Sequence, residues 1–404
     1  MAESKYKVNW FGIAKFPEGI THIEDGAFWG CEKLRYVTIP STVKSIGQKA
    51  FTGCENIKSI TIPSNVESIG DEAFSWCRNL RTVTICGNVE TIGNNAFIAC
   101  DALSSITFQG NIGSIGEKAF FAMKELKTVK IKGRIGSIGD AAFSSCEGIE
   151  SITFPFGLEN IGKEAFSACE NLSSISFSEY VKNIGEQAFW KCKGLKKLTI
   201  PGDVDCIGKE AFEWCNLKSI IFEGKVKRIE EGAFRYCENL TSVTFSNDVE
   251  NIESKAFYTC ENLSTVTFSG CVGSIGDSAF FQCHALKSIT FSNDVKGIGE
   301  DAFRGCQKIT SVIFLGNVES IGKDAFFALE KLKTVTFAKD IKSIDQKAFA
   351  FCKKLKSVTF SGNVEYIGDE AFKGCENLKD INIPSSIKEM GENVFKNTPI
   401  SKKE

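Results

Sequence analysis

The sequence predicts an α/β repeat solenoid with a 23-residue period. Three observations carry the prediction. First, a phenylalanine recurs at Phe28, Phe51, Phe74, Phe97, Phe120, Phe143, Phe166, Phe189, Phe212, Phe234, Phe257, Phe280, Phe303, Phe326, Phe349, Phe372 and Phe395. Every interval is 23 residues except one of 22, between Phe212 and Phe234. Second, alanine precedes this anchor in every repeat but the last, where Val394 stands, and fourteen repeats place cysteine three residues after it. Third, apolar residues follow at fixed offsets, as in Ile57, Ile60 and Ile62. Self-similarity at such a period marks a stacked array in which each unit packs on its neighbours.

The elements follow in order. Residues 1–19 read as a cap and partial repeat. Tyr6, Val8 and Trp10 alternate with polar residues, and Phe11 and Phe16-Pro17 take the slots of Leu34 and Ile39-Pro40. Trp10 is expected to pack over the exposed end of the core. Residues 20–395 form the solenoid. In its unit at residues 46–69, Gln48 to Cys54 read as a short helical stretch with Ala50, Phe51 and Cys54 on one side. Gly47 begins that stretch. Its slot holds Glu24, Glu230, Glu253 or Asp345 elsewhere, which argues against a compulsory left-handed glycine and for a helix start. Ile60 and Ile62 alternate as a strand that Pro63 ends. Val66 and Ile69 return the chain inward. Residues 396–404 close the array, with Thr398 in the cysteine slot and Ser401 to Glu404 as a frayed tail.

Of the 17 cysteines, fourteen occupy the column after the anchor, where Met123 and Leu329 substitute. A small buried hydrophobe explains that column, so reduced, buried thiols are favoured over disulfides. Cys86, Cys206 and Cys271 share no register and form no metal-ligand set.

Net charge is −2, with acids and bases mixed through every repeat, so a nucleic-acid partner is not expected. No apolar run reaches the ~18 residues of a membrane span. Residues 1–20 lack the pattern of a signal peptide. There is no G-x-x-x-x-G-K-[ST], H-E-x-x-H or C-x-x-C motif, and the two histidines, His22 and His284, lie far apart in the array. His284 takes a slot that usually carries an acid and is expected at a solvated surface. The sequons at Asn171, Asn239 and Asn262 arise from the repeat phrase itself. No enzyme, no metal and no cofactor are expected.

The phrase I-G-x-x-A-F-x-x-C-x-x-L-x-x-V-x-I-P, repeated over residues 11–398, resembles the BspA-like branch of leucine-rich repeat proteins. The resemblance implies a right-handed solenoid with a parallel β-sheet on its concave face. It also implies noncatalytic binding, through protein–protein interaction or adhesion, by a secreted or surface protein. Without an export signal, an intracellular scaffold or sensor in the cytoplasm is the alternative. A self-assembling structural array is a third reading.

Residues that break the columns are the candidates for binding. Trp190, Trp214, Tyr236, Tyr258 and Phe281 lie one or two positions after the anchor in consecutive repeats, as Trp29 and Trp76 do elsewhere. Stacked at strand spacing they would make a strip ~20 Å long for a protein or glycan contact. The alternative is that these rings only shield the edge of the core. The 22-residue repeat, shortened at Cys215-Asn216-Leu217, is expected to display Trp214. A second candidate is the basic column of the concave face, Arg35, Lys58, Arg81, Lys127, Lys196, Lys218, Lys287, Lys333, Lys356 and Lys379, for an anionic or polar protein partner. Acids of the neighbouring loop, such as Glu55, Glu147 and Glu170, are expected to offset much of its charge.

Overall fold

The computed structural model describes residues 6–400, so Ser401 to Glu404 lie outside the described residues. The chain divides into two compact units, residues 1–195 and 196–404. Each is a parallel β-solenoid.

Apolar alternation sets the first strand of each coil. In Ser59–Ile62, Ile60 and Ile62 turn inward while Ser59 and Thr61 face out. Its register with the next coil is Ile60↔Val83 and Ile62↔Ile85. In the N-terminal unit Ser59–Ile62, Thr82–Ile85, Ser105–Phe108 and Thr128–Ile131 form one ladder. In the C-terminal unit nine such strands run from Lys197–Ile200 to Asp380–Ile381.

The return segment, expected only to bring the chain inward, forms a second parallel ladder. Val89–Ile92 pairs with Ile112–Ile115, and its first and last residues are both buried while the two between are exposed. Two inward residues three apart do not follow the period of two that marks a strand in a sequence.

No helix occurs among the described residues. The expected helical stretch is a chain of tight turns. Amides alternate between two destinations. Those of Ala50, Thr52 and Cys54 donate within the coil to the carbonyls of Gly47, Lys49 and Phe51, at 3.3, 3.2 and 3.1 Å. Those of Lys49, Phe51 and Gly53 donate to Asp71, Ala73 and Ser75 of the next coil, at 2.9, 2.7 and 2.8 Å. A helix would aim every amide along its own axis. Here half of them point at the neighbouring coil, and the backbone must reverse its hand to aim them. Residues two before and two after the anchor are therefore left-handed in repeat after repeat: Glu72 at φ +53° and Trp76 at +60°, Glu210 at +54° and Trp214 at +61°. Most of these residues are not glycine, and each costs about 1–2 kcal/mol.

Gly47 is not among the left-handed residues, as expected, but it starts no helix. In the same slot, a Cβ at Gly70 would lie 2.7 Å from the Gln48 amide nitrogen, so close approach of the neighbouring backbone selects glycine there.

The anchors fill the interior between these ladders. Phe51 and Phe74 stack with centroids 5.0 Å apart and planes 4° from parallel, and the same contact recurs through each unit. Their spacing follows from the distance between paired strands. The C-terminal unit adds a second aromatic ladder, Phe222, Phe245, Phe268, Phe291, Phe314, Phe337 and Phe360, at 5.0–5.4 Å. Phe222 meets Phe234 edge-on at 6.2 Å.

All cysteines are free thiols. The column is more than apolar filling: Cys54 Sγ donates to the Phe28 carbonyl at 3.1 Å, and Cys260 Sγ to that of Phe234 at 3.3 Å. Each such thiol is a second donor to a carbonyl that already accepts an amide of its own coil, as Phe28 does from Cys31 at 2.9 Å and Phe234 from Cys237 at 3.3 Å.

At the N-terminus, Tyr6 and Phe16 pack on Phe28, with centroids 5.5 and 5.7 Å away. Trp10 does not. It is 96% exposed, and Phe11, though in register with Leu34, is 73% exposed. The reason is an antiparallel hairpin, Lys7–Val8 against Ala14–Lys15, whose turn carries both rings away from the core.

Two predictions follow from the backbone and the thiols. Replacing left-handed Ala99, Ala122 and Ala328 with glycine raises the unfolding free energy, by about 0.5–1 kcal/mol per site. Ala96→Gly, at a buried residue outside the left-handed positions, lowers it, and denaturant unfolding of the four variants reads both signs. Burial pushes the thiols of Cys146, Cys237 and Cys352 from 9.0 up to about 12. The unfolded chain gives up these protons near pH 9.0 and the folded chain keeps them. Their contribution to stability is complete below pH 9.0 and declines as pH rises toward 12, which unfolding midpoints across that window will show.

Candidate binding surface

The residues beside each anchor occupy two kinds of position. The one immediately after it lies partly under its neighbours, as buried Ser75, Ser144 and Ser167 show. The next is left-handed and projects further out. Trp214 and Tyr236 hold the second position; Trp190, Tyr258 and Phe281 hold the first.

Within the C-terminal unit four of these rings are brought together. Trp214 stacks on Tyr236 with centroids 4.5 Å apart. Tyr236 meets Tyr258 edge-on at 6.0 Å and 89°, where the run steps from the outer to the inner position. Tyr258 then stacks on Phe281 at 5.1 Å. None is buried: Trp214 is 41% exposed and the others are half-buried. Trp190 belongs to the N-terminal unit, where Lys191 Nζ lies 4.0 Å from its ring centroid.

A charged cluster holds the run from behind. Arg235 donates to Glu213 at 2.8 Å and to Glu210 at 3.0 Å, and its guanidinium lies 5.4 Å from the Tyr236 ring centroid. Partial desolvation works against the Arg235 charge. The hydrogen bond to Glu213 and the fields of Glu213 and Glu210 outweigh it, and the arginine pKa is raised. Glu213, 4% exposed, is a buried carboxylate satisfied by this pair.

Reading the sequence only to Phe281 missed the continuation. Arg304 sits over Phe327 at 4.9 Å, held by Asp301, and Phe327 meets Phe351 at 5.5 Å. The signal was the same pair of columns, followed three repeats further. Shortening at Asn216 is not what displays Trp214. Trp76, in the equivalent position of a 23-residue repeat, is 49% exposed.

The basic column is exposed throughout, at Arg35, Lys58, Arg81, Lys127, Lys196, Lys218, Lys287, Lys333, Lys356 and Lys379. Glu55, Glu147 and Glu170 bind Arg78, Lys124 and Lys193 of their own column, at 3.8, 3.2 and 3.0 Å. Among the described residues, no ion pair forms at Lys58, Arg81, Lys127, Lys218, Lys287, Lys333 or Lys356.

His284 is half-buried rather than fully solvated, with Nδ1 2.8 Å from the Gly305 carbonyl. Among the described residues no three His, Cys, Asp or Glu side chains converge as metal ligands. No helix of the described chain is long and apolar enough to cross a membrane.

Comparison with known proteins places the repeat. The family described as BspA type leucine rich repeat region matches residues 8–127, 90–217, 205–326 and 273–402. No curated protein matches the chain. Among solved structures, a leucine-rich repeat protein of Bacteroides ovatus is 21% identical, covers 96% of this chain and 87% of its own, and has a TM-score of 0.36. A leucine rich cell surface protein of Faecalibacterium prausnitzii is 24% identical, covering 76% of this chain and 88% of its own, with a TM-score of 0.37. The pneumococcal vaccine antigen PcpA is 19% identical, covering 96% and 83%, with a TM-score of 0.35. The family match runs through both units, and the chain belongs to the BspA-type leucine-rich repeat family.

Proposed function

We propose that this chain is a noncatalytic binding module that takes up another protein on the flank of its repeats, with Trp214, Tyr236, Tyr258 and Phe281 as the central contact. The observation that carries the reading is an unbroken run of ring contacts on side chains still open to solvent. Aromatic side chains held by their neighbours lose little freedom on binding, and such residues dominate the energy of protein contacts. Trp190 offers the same chemistry in the N-terminal unit. Lys58, Arg81, Lys127, Lys218, Lys287, Lys333 and Lys356 support an acidic stretch on the partner, because charges without internal counterions gain most from an external one. Adhesion to a protein-bearing surface is one use of such a module, and a glycan could occupy the same rings.

A pull-down comparing wild type with Trp190→Ser/Trp214→Ser tests the strip. Capture is expected to fall at least ~10-fold with the unfolding midpoint unchanged, and undiminished capture removes the strip.

Self-assembly is a second reading, favoured by the last coil. Ile383 and Met390 are 45% and 42% exposed, whereas Phe360 and Ile367 in the same slots one repeat earlier are 3% and 0% exposed. Light scattering that rises with concentration, and falls for Ile383→Ser/Met390→Ser, would identify that end as an interface between copies. Scattering independent of concentration excludes it.

A further inference from the structure

The hairpin of residues 7–15 exposes its aromatic rings more fully than the strip does, and binding along the repeats leaves it without a role. Trp10 is 96% exposed, Phe11 73%, Ile13 40% and the adjacent Tyr36 65%. This tip is built rather than loose. Asn9 Oδ1 accepts the amides of Phe11 and Ile13 at 3.0 and 2.9 Å, and the Gly12 amide donates to the Asn9 carbonyl at 3.0 Å. Gly12 has φ +77°, and the carbonyl of Gly12 accepts the amides of Arg35 and Tyr36, which fastens the turn to the first full repeat. Four cations belong to this end of the chain, two in the hairpin strands and two beside the rings. Lys7 lies directly opposite Lys15 in the hairpin, and Lys33 and Arg35 line a cleft of about 760 Å³ with Trp10, Phe11 and Tyr36. Like charges placed directly across a strand pair are destabilising. Among the described residues none of the four forms an ion pair.

We propose that this hairpin docks the chain on an anionic lipid bilayer, with Trp10 and Phe11 seated among the headgroups and the four cations on lipid phosphates and carboxylates. Three features favour this occupant. Tryptophan settles at the membrane–water boundary, where its ring meets apolar chains and its N–H stays wet. Lysine and arginine beside such rings are drawn to anionic lipid. A projecting tip needs no matching groove in a fluid surface. A second copy of the chain is disfavoured, since a symmetric contact would bring eight positive charges together.

Co-sedimentation with phosphatidylserine-rich vesicles, against vesicles of phosphatidylcholine alone, tests the proposal. Wild type is expected to partition to the anionic vesicles, with tryptophan emission shifted to the blue and quenched by brominated lipid. Trp10→Ser/Phe11→Ser is expected to weaken partition roughly 100-fold, and Lys7→Ala and Lys15→Ala about fivefold each. The unfolding midpoint of the double serine variant should match wild type, because Trp10 touches little of the core. Trp214→Ser/Tyr236→Ser should bind vesicles as wild type does, which separates this result from the fate of the strip. Absence of binding to anionic vesicles, or equal binding by Trp10→Ser/Phe11→Ser, overturns the proposal. So does self-association in the absence of lipid that the double serine variant abolishes, because the tip would then be covered by a second copy.

Discussion

Everything in this solenoid depends on the alternate handing of amides from one coil to the next beside the anchor phenylalanine. Because Phe51 donates to Ala73 while Ala50 donates to Gly47, successive coils are locked in depth and in rotation at once. Alanine in front of the anchor is small enough for its carbonyl to be reached. The rings then have one place to go, stacked about a strand spacing apart. The left-handed residues are the cost of that exchange. Three inter-coil hydrogen bonds per turn, at about 0.5–1.5 kcal/mol each, together with a buried ring, offset it.

The two units satisfy the same backbone with different interiors. In the N-terminal unit the second inward position of the strand is mixed, with isoleucine at Ile62, Ile85 and Ile131 and phenylalanine at Phe108, Phe154 and Phe177. From Phe222 onward it is phenylalanine in every repeat through Phe360, and two aromatic ladders meet edge to face. The cysteine column also ties the coils together: its thiols reach the anchor carbonyl of the preceding coil, as Cys375 does for Phe349 at 3.2 Å.

Much of this was legible in the residues. The period, the inward positions of the first strand and the stacked anchors follow from columns of identical side chains. The turn was not legible, because Ala50, Phe51 and Cys54 fall at the spacing of a helical face while Lys49 and Glu72 carry no mark of a left-handed backbone. Only the exchange of amides between coils, a contact 22 residues away in sequence, dictates that geometry. The second ladder was hidden for a related reason, since Val89 and Ile92 are three apart. Trp10 read as cap packing because its alternation with Val8 is that of a strand, and a hairpin turn can carry such a residue outward as readily as inward. At the candidate surface the aromatic breaks from Trp214 to Phe281 were visible, whereas the ion pairs that occupy the acids of the loop, and so leave the basic column exposed, required coordinates.

A backbone held by its neighbours asks little of the side chains it carries. The position two residues after the anchor is occupied by tryptophan, tyrosine, alanine, lysine, threonine, glutamine and phenylalanine, all at nearly one φ. Its chemistry is thus uncoupled from its geometry. Over evolutionary time that makes the flank of the array a set of interchangeable letters on a fixed line: duplication can lengthen the text, substitution can rewrite it, and neither need disturb the page. The loss of one residue beside Asn216 shows the same latitude, since Leu217 still reaches the core and is fully buried.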